Sequence, residues 1–166
     1  MGSQTTMGAV LWPSQAQVRR FYGEAGNPSC TAGMAKLAYP MKVAWDKKTI
    51  IRRFRCHIKV EAAFERIFQK TLAQYGEKEI ARLRLDLFGG CYNFRRMRGG
   101  KTFSMHAYGI AFDIDPERNQ LKWTRAKASL AKADYEPFWK IVESEGAVSL
   151  GRARDFDWMH FQFARL

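Results

Sequence analysis

Two short segments decide how this chain folds, namely Ser104-Met-His-Ala-Tyr-Gly-Ile-Ala-Phe-Asp113 and Asp157-Trp-Met-His160. Each of them places a histidine close to a carboxylate among apolar neighbours, and the chain has only three histidines in total. Burying an imidazole and a carboxylate together is costly unless the groups pair with each other or bind a metal ion. We therefore expect the two segments to carry either a hydrogen-bonded network or a metal site.

Taken as ligands, His106, Asp113 and His160 form a set of two histidines and one carboxylate. Three protein ligands leave the fourth position of a zinc ion open for water, which is typical of catalytic zinc. Asp115 lies on the same strand face as Asp113, so spacing alone leaves either as the carboxylate ligand. A nearby carboxylate must also move protons, and Asp157 is the natural candidate. A purely structural network of histidines and aspartates explains the same spacing.

The hydrophobic pattern around these segments predicts an α+β fold, in which helices pack on a small, mainly antiparallel sheet that carries the metal site. Apolar residues at three- and four-residue spacing predict a helix over about 56–75, ended by Gly76, and a second helix over about 135–145. Alternating leucines predict a strand over 83–87, and a short apolar run predicts another over 108–114. Residues 147–150 and 158–163 are predicted to pair as a hairpin.

Length and composition are those of a single globular unit. The chain has 166 residues, of which 46% are hydrophobic and 14% aromatic, and this excludes intrinsic disorder. No apolar run approaches the ~18 residues that span a bilayer, and residues 1–10 lack the pattern of a secretory signal. Turn signals predict that residues 1–45 form an irregular arm packed on the domain, which comprises residues 46–166.

Charge and cysteine content restrict the partners and the compartment. The net charge of +12 favours contact with polyanions such as nucleic acid, anionic lipid or acidic cell-wall polymers. The basic stretch 47–59 is either a solvated face or one such contact.

Three cysteines without a CxxC pair argue against a disulfide framework and a cysteine-built zinc site, and free thiols are typical of synthesis in a reducing cytoplasm. The third histidine, His57, is predicted to be a core or capping residue.

The two segments together resemble the zinc peptidoglycan peptidases, a family that includes D-alanyl-D-alanine carboxypeptidases and phage L-alanyl-D-glutamate endopeptidases. The resemblance lies in Ser-x-His-x-x-Gly-x-Ala-x-Asp over 104–113 and Asp-Trp-x-His over 157–160, and it covers about residues 85–163. The stretch Phe88-Gly-Gly-Cys-Tyr-Asn-Phe-Arg95 also looks like the segment before the first ligand in the phage-type members. Residues 149–156 depart from the family, because they are more basic than expected.

The resemblance implies an α+β zinc peptidase domain over 46–166, with one Zn²⁺ per chain held by His106, Asp113 and His160. Asp157 would act as general base and then as general acid. Asp115 would be a structural acid near the site.

The resemblance also implies an arginine that steadies the oxyanion and the substrate. Arg95 is the best match, and Arg98 is its rival in register. Ser104 would hydrogen-bond near a ligand or the substrate, although a turn hydroxyl explains it nearly as well. Trp158 would wall the substrate cleft, and a core position explains it equally well.

From size, charge and the family resemblance we expect a phage-type endolysin that cleaves the L-Ala–D-Glu bond of peptidoglycan stem peptides and thereby acts as an antimicrobial. It would be made in the host cytoplasm and act, as a monomer, on the cell wall and in the periplasm. Anionic lipopolysaccharide or another wall polymer would be a further partner. The alternatives are a D-Ala-D-Ala carboxypeptidase of the same family and an inactive wall-binding module. Only charge suggests a nucleic-acid-binding protein, since no binding motif for it is present.

Overall fold

A computed structural model describes residues 11–97 and 99–166 of the chain. Its centre is a six-stranded sheet with the strand order β2-β1-β3-β4-β6-β5, in which β1 and β3 are parallel and the other neighbours antiparallel. The strands are β1 (Gly33–Val43), β2 (Asp46–Cys56), β3 (Leu87–Gly90), β4 (Ala111–Ile114), β5 (Val148–Ser149) and β6 (His160–Gln162). The predicted α+β class with a mainly antiparallel sheet is confirmed.

Four α-helices accompany the sheet in the described part of the chain: α1 (Val18–Tyr22), α2 (Glu61–Leu83), α3 (Glu136–Ser144) and α4 (Leu150–Arg154). The prediction for α3 is confirmed to within a residue or so at each end. Helix α2 begins later than predicted, because the chain up to Cys56 belongs to β2. Gly76 does not end α2 but kinks it, since its φ of 75° and ψ of 162° interrupt a helix that then continues. No described helix is both long and apolar enough to cross a membrane.

An aromatic cluster between α2 and the sheet forms the core and orients the strands. The Phe112 ring of β4 lies with its centroid 5.1 Å from both Phe54 of β2 and Phe68 of α2. Phe112 also stacks on Phe161 of β6 at 5.5 Å, and the two residues are cross-strand partners. Because strand side chains alternate between faces, burial of this pair places Asp113 and His160, the next pair in register, on the opposite face.

Three further local predictions are wrong in whole or in part, each because tertiary context overrides the pattern. Residues Gly33–Val43 are not part of an irregular arm, since they pair with β2 as the long strand β1. Residues 83–86 are not part of a strand, because Leu83 ends α2 and Arg84 adopts a left-handed φ of 55°, so that β3 begins only at Leu87. Of the run 108–114, only Ala111–Ile114 is extended.

The predicted hairpin is confirmed, because β5 and β6 pair antiparallel with α4 between them. The N-terminal residues from Leu11 onward run beside the C-terminus. Arg165 N donates to Pro13 O at 2.8 Å, and Trp12 Nε1 donates to Glu145 O at 2.8 Å. Both ends of the described chain are thereby held against the sheet, close to β6.

The Glu145 carboxylate, just after α3, links that end of the fold to α2. It accepts from Arg66 Nε at 2.7 Å and Lys70 Nζ at 2.6 Å, and only 9% of its side chain is exposed. Burial alone would raise the pKa of Glu145, but the hydrogen bonds from Lys70 and Arg66 lower it below its ordinary value. A carboxyl group with a lowered folded-state pKa stabilises the fold above its unfolded pKa and ceases to do so as the pH falls through the folded pKa.

We predict that Glu145→Gln lowers the free energy of unfolding by about 1 kcal/mol at neutral pH, because two charge-assisted hydrogen bonds are lost. The difference from the unchanged protein should shrink in acid, where Glu145 is protonated. Urea titrations at several pH values measure it. Glu79→Gln is the matched control, because its ion pair with Arg82 is exposed and should contribute less. A difference that does not change with pH would contradict the assignment.

Candidate active site

A capped turn holds His106 in place. Ser104 begins the 3-10 turn Met105–Tyr108, and its Oγ accepts a hydrogen bond from His106 N at 3.2 Å. Gly109 ends the turn in a left-handed conformation with φ of 71°. Ser104 therefore caps the turn that carries His106, and it also lines the cavity described below.

Gly109 allows two chain segments to approach the turn closely. A Cβ atom at this position would lie 2.2 Å from Cys30 O and 2.7 Å from His57 N. The backbone itself is used there, since Gly109 O accepts from His57 N at 2.8 Å. Only glycine fits both the positive φ and this contact.

The structure brings His106, Asp113 and His160 together. His106 Nε2 lies 3.2 Å from Asp113 Oδ2, and His160 Nδ1 lies 3.1 Å from Asp113 Oδ1. One potential ligand atom from each residue falls within 4.8 Å of the others, and both histidines are buried. Register explains part of this arrangement, because Asp113 and His160 are direct cross-strand partners. The cluster could hold a metal ion.

Each imidazole has an inner nitrogen, which faces Asp113, and an outer nitrogen, which points away from it. Each outer nitrogen is hydrogen-bonded to an oxygen that can only accept. His106 Nδ1 donates to Cys91 O at 2.7 Å, and His160 Nε2 donates to Gln162 Oε1 at 2.8 Å. The orientation of the Gln162 amide is fixed in turn, because its Nε2 donates to Gln15 Oε1 and Ala164 O. With these protons in place, the inner nitrogens of neutral imidazoles carry lone pairs.

Those inner lone pairs face the oxygens of an anionic carboxylate and are repelled by them. The three groups therefore need a positive charge between them. A metal ion or ring protons can supply it. Hydrogen bonds from the outer nitrogens to carbonyl oxygens are the usual support of metal-ligating histidines. The donor set therefore fits a zinc ion with an open coordination position.

The electrostatics of the cluster agree with this requirement. Burial by itself would raise the pKa of Asp113, but the neighbouring His106 and His160 imidazoles hold that pKa well below its usual range. Burial would lower the pKa of His160, but its hydrogen bond to Asp113 raises that pKa above its ordinary value. The site thus favours an anionic aspartate beside a positive charge.

Asp157 lies next to the cluster without belonging to it. Its Oδ2 is 3.9 Å from His160 Nδ1, and its buried Oδ1 has no hydrogen-bond partner among the described residues. The backbone at Asp157 has a left-handed φ of 52° and is fixed by a bond from its N to Leu121 O at 2.8 Å. Burial raises the pKa of Asp157, against the opposing effect of the His160 charge. An unpartnered carboxylate oxygen of raised pKa is suited to accepting a proton.

A cavity of about 860 Å³ opens onto these groups. Arg95 lines it with an exposed side chain, while its rival Arg98 lies outside the described residues. The wall combines apolar and polar side chains, including Ser14, Gln15, Arg95, Met97, Ser104, Leu121, Leu150, Arg154, Phe156, Met159, Gln162 and Leu166. A peptide segment of several residues could enter this space.

Two residues predicted for the site lie elsewhere. Trp158 does not line this cavity, because its ring packs on Gly151 and its Nε1 donates to Asp155 Oδ1 at 3.0 Å, so the prediction that it walls the cleft is corrected. Asp115 is not in the cluster either, since its Oδ2 accepts from Arg118 Nε at 2.7 Å. His57 is a buried capping residue, as expected, and accepts from Lys59 N at 3.1 Å.

The sequence reasoning missed Gln162, Arg154, the Cys91 carbonyl and the N-terminal residues at the cavity wall. Strand periodicity could have indicated Gln162, which lies two residues after His160 and therefore on the same face of β6. No local pattern indicates the others, because folding brings them in from distant parts of the chain.

The segment that carries these groups can be compared with known protein families. Residues 98–163 match the M15 peptidase family model described as D-alanyl-D-alanine carboxypeptidase. The match spans roughly two fifths of the chain and contains His106, Asp113, Asp157 and His160. The resemblance to the zinc peptidoglycan peptidases is thus confirmed over the matched residues. No curated protein and no solved structure shows significant similarity to the chain.

We predict that Gly109→Ala strongly destabilises the fold and weakens metal binding, because the added Cβ would displace the turn that carries His106. The loss should exceed about 2 kcal/mol, which combines backbone strain with a clash. Gly99→Ala is the matched control, since Gly99 has a similar φ of 69° but open space around its Cβ position. Thermal unfolding measures both, and equal losses would contradict the packing argument.

Proposed function

We propose that this protein is a zinc-dependent peptidase that hydrolyses stem peptides of peptidoglycan. The observation that carries the proposal is the convergence of two buried imidazoles on Asp113, each with its outer nitrogen already bonded to a carbonyl oxygen. The peptidase family match supports the reaction type.

In this proposal one zinc ion is held by His106 Nε2, His160 Nδ1 and the Asp113 carboxylate. When bound, zinc polarises the scissile carbonyl and lowers the pKa of a water molecule. Cys91 O and Gln162 orient the imidazole rings. Loss of a hydrogen-bond partner that orients a ligating imidazole typically weakens metal binding by about 10–100-fold.

Asp157 moves the proton during hydrolysis. Its unpartnered Oδ1 accepts a proton from the attacking water and later returns it to the leaving amine. Arg95 lines the same cavity, and its positive charge acts on Asp157. We assign to Arg95 the stabilisation of the oxyanion, a contribution that is often the largest electrostatic one in acyl transfer.

We further propose the L-Ala–D-Glu bond as the substrate and a phage-type endolysin as the biological context. The likeness of Phe88 to Arg95 to the segment before the first ligand in phage-type members supports this choice. Such an enzyme is made in the host cytoplasm and acts on the cell wall after release. The net charge of +12 favours binding to anionic peptidoglycan or lipopolysaccharide. The description of the matching family favours one alternative, cleavage of D-Ala-D-Ala by a carboxypeptidase.

We predict that the protein binds one zinc ion and gains thermal stability from it, by about 4 kcal/mol at a thousandfold excess over the dissociation constant. His106→Ala, Asp113→Ala and His160→Ala should each abolish this gain, because each removes a ligand. His57→Ala is the control, as a buried histidine outside the cluster that should cost stability but leave zinc binding intact. Competition with a chromophoric chelator measures the affinity, and unchanged affinity in the ligand variants would refute the site.

We predict that Asp157→Asn lowers kcat by about 10²–10⁴-fold while zinc binding remains, because the proton acceptor is lost. The assay is mass spectrometry of digested peptidoglycan, with and without a chelator. New L-Ala carboxyl ends and D-Glu amino ends, abolished by chelation and restored by zinc, are the expected products. Release of free D-Ala would assign the carboxypeptidase instead. No product from several wall types by the zinc-loaded protein would overturn the proposal and favour a binding module.

A further inference from the structure

The basic stretch before Asp157 separates into two arginines with different surroundings. Arg152 is tied to the protein, because its Nε donates to Glu143 Oε1 at 2.8 Å and its Nη1 pairs with Glu136. Arg154 lines the cavity with an exposed side chain that forms no ion pair or hydrogen bond with any residue that the structure describes. The fold therefore uses one arginine structurally and presents the other to the cavity.

The backbone around Arg154 is held firmly. Ser149 Oγ accepts from Arg152 N at 3.2 Å at the start of α4. Gly151 is packed so tightly on Trp158 that a Cβ atom there would lie 2.2 Å from the indole. After the helix, the Asp155 carboxylate accepts from Arg125 N at 2.7 Å. Arg154 is thus fixed at the cavity wall three residues before Asp157.

We propose that Arg154 is a carboxylate-binding subsite, which holds a free carboxylate of the substrate beside the scissile bond. This inference rests on the proposed function and adds a determinant of specificity to it. A guanidinium group presents parallel N–H donors that match a carboxylate in two-point contact. Next to the L-Ala–D-Glu bond proposed above as the substrate, the free carboxylate is the α-carboxylate of D-Glu.

The charges that line the cavity support this assignment. Asp113 and Asp157 are the side-chain carboxylates in the described lining, and both face the histidine cluster. Without a cation at the wall, the buried Asp157 would repel an anionic substrate. Arg95 is assigned to the oxyanion, so Arg154 is the remaining arginine in the described lining that can meet a second negative group. Arg154 also lies at the C-terminal end of α4, where a positive charge can stabilise a helix. A five-residue helix gains little from such a charge, so helix stabilisation explains Arg154 poorly.

The experiment compares two synthetic stem peptides that differ only in a D-Glu α-carboxylate or its carboxamide. The unchanged protein should cleave the carboxylate form with a kcat/KM about 10–100-fold higher, the range expected for a charge-assisted hydrogen bond. Arg154→Gln should remove this preference through KM, with cleavage of the amide form unchanged. Arg154→Lys should retain part of it, because a lysine keeps the charge without the planar fork. Arg20→Gln is the control, an exposed arginine on α1 that does not line the cavity.

Equal loss of activity on both peptides in Arg154→Gln would overturn the subsite and indicate a structural role. Binding of the same peptides to the zinc-loaded Asp157→Asn protein, measured by calorimetry, separates this result from failure of the proposed function. If the unchanged protein releases no product but Arg154→Gln weakens only binding of the carboxylate form, the subsite stands and the peptidase proposal fails. Equal affinity for the two peptides before substitution would overturn the subsite itself.

Discussion

The site depends on the register of two strands. Phe112 pairs with Phe161 and Asp113 with His160 where β4 runs antiparallel to β6. Because side chains alternate, the phenylalanine pair fills the core beneath α2 while the polar pair faces the cavity. A slip of one residue would bury the carboxylate and imidazole in the core and expose the aromatic rings. The aromatic core therefore enforces the position of two of the three candidate ligands.

The orientation of the imidazoles comes from parts of the chain that are far apart. Cys91 follows β3, and its carbonyl fixes the His106 ring. Gln162 fixes the His160 ring, and Gln15 from the N-terminal end bonds to Gln162 in turn. Gln15 and Ala164, near the two ends of the described chain, thereby contribute to the support of His160. The cluster is a product of the whole fold, although the residues that define it lie in two short segments.

The sequence indicates which residues carry the chemistry of the site, but it indicates much less about the residues that surround them. His106 and His160 can be recognised because a histidine within an apolar run needs a specific partner. The position of α3 can be predicted because its apolar periodicity is strong. The alternating leucines over 83–87 predict a strand, but Arg84 instead adopts a left-handed conformation at the end of α2. Such a helix end depends on packing that local sequence does not show. Trp158 and Arg154 could not be assigned from spacing, since burial against Gly151 and exposure to the cavity are decided by tertiary contacts.

The central claim is that the inner nitrogens of the two imidazoles and Asp113 hold one zinc ion. A crystal structure of the zinc-loaded protein, with anomalous data at the zinc edge, tests it most directly. We expect a single peak about 2.0–2.2 Å from His106 Nε2, His160 Nδ1 and an Asp113 oxygen, with Cys91 O and Gln162 still bonded to the outer nitrogens. A zinc ion bound elsewhere, or through the outer nitrogens after these bonds have broken, would contradict the account.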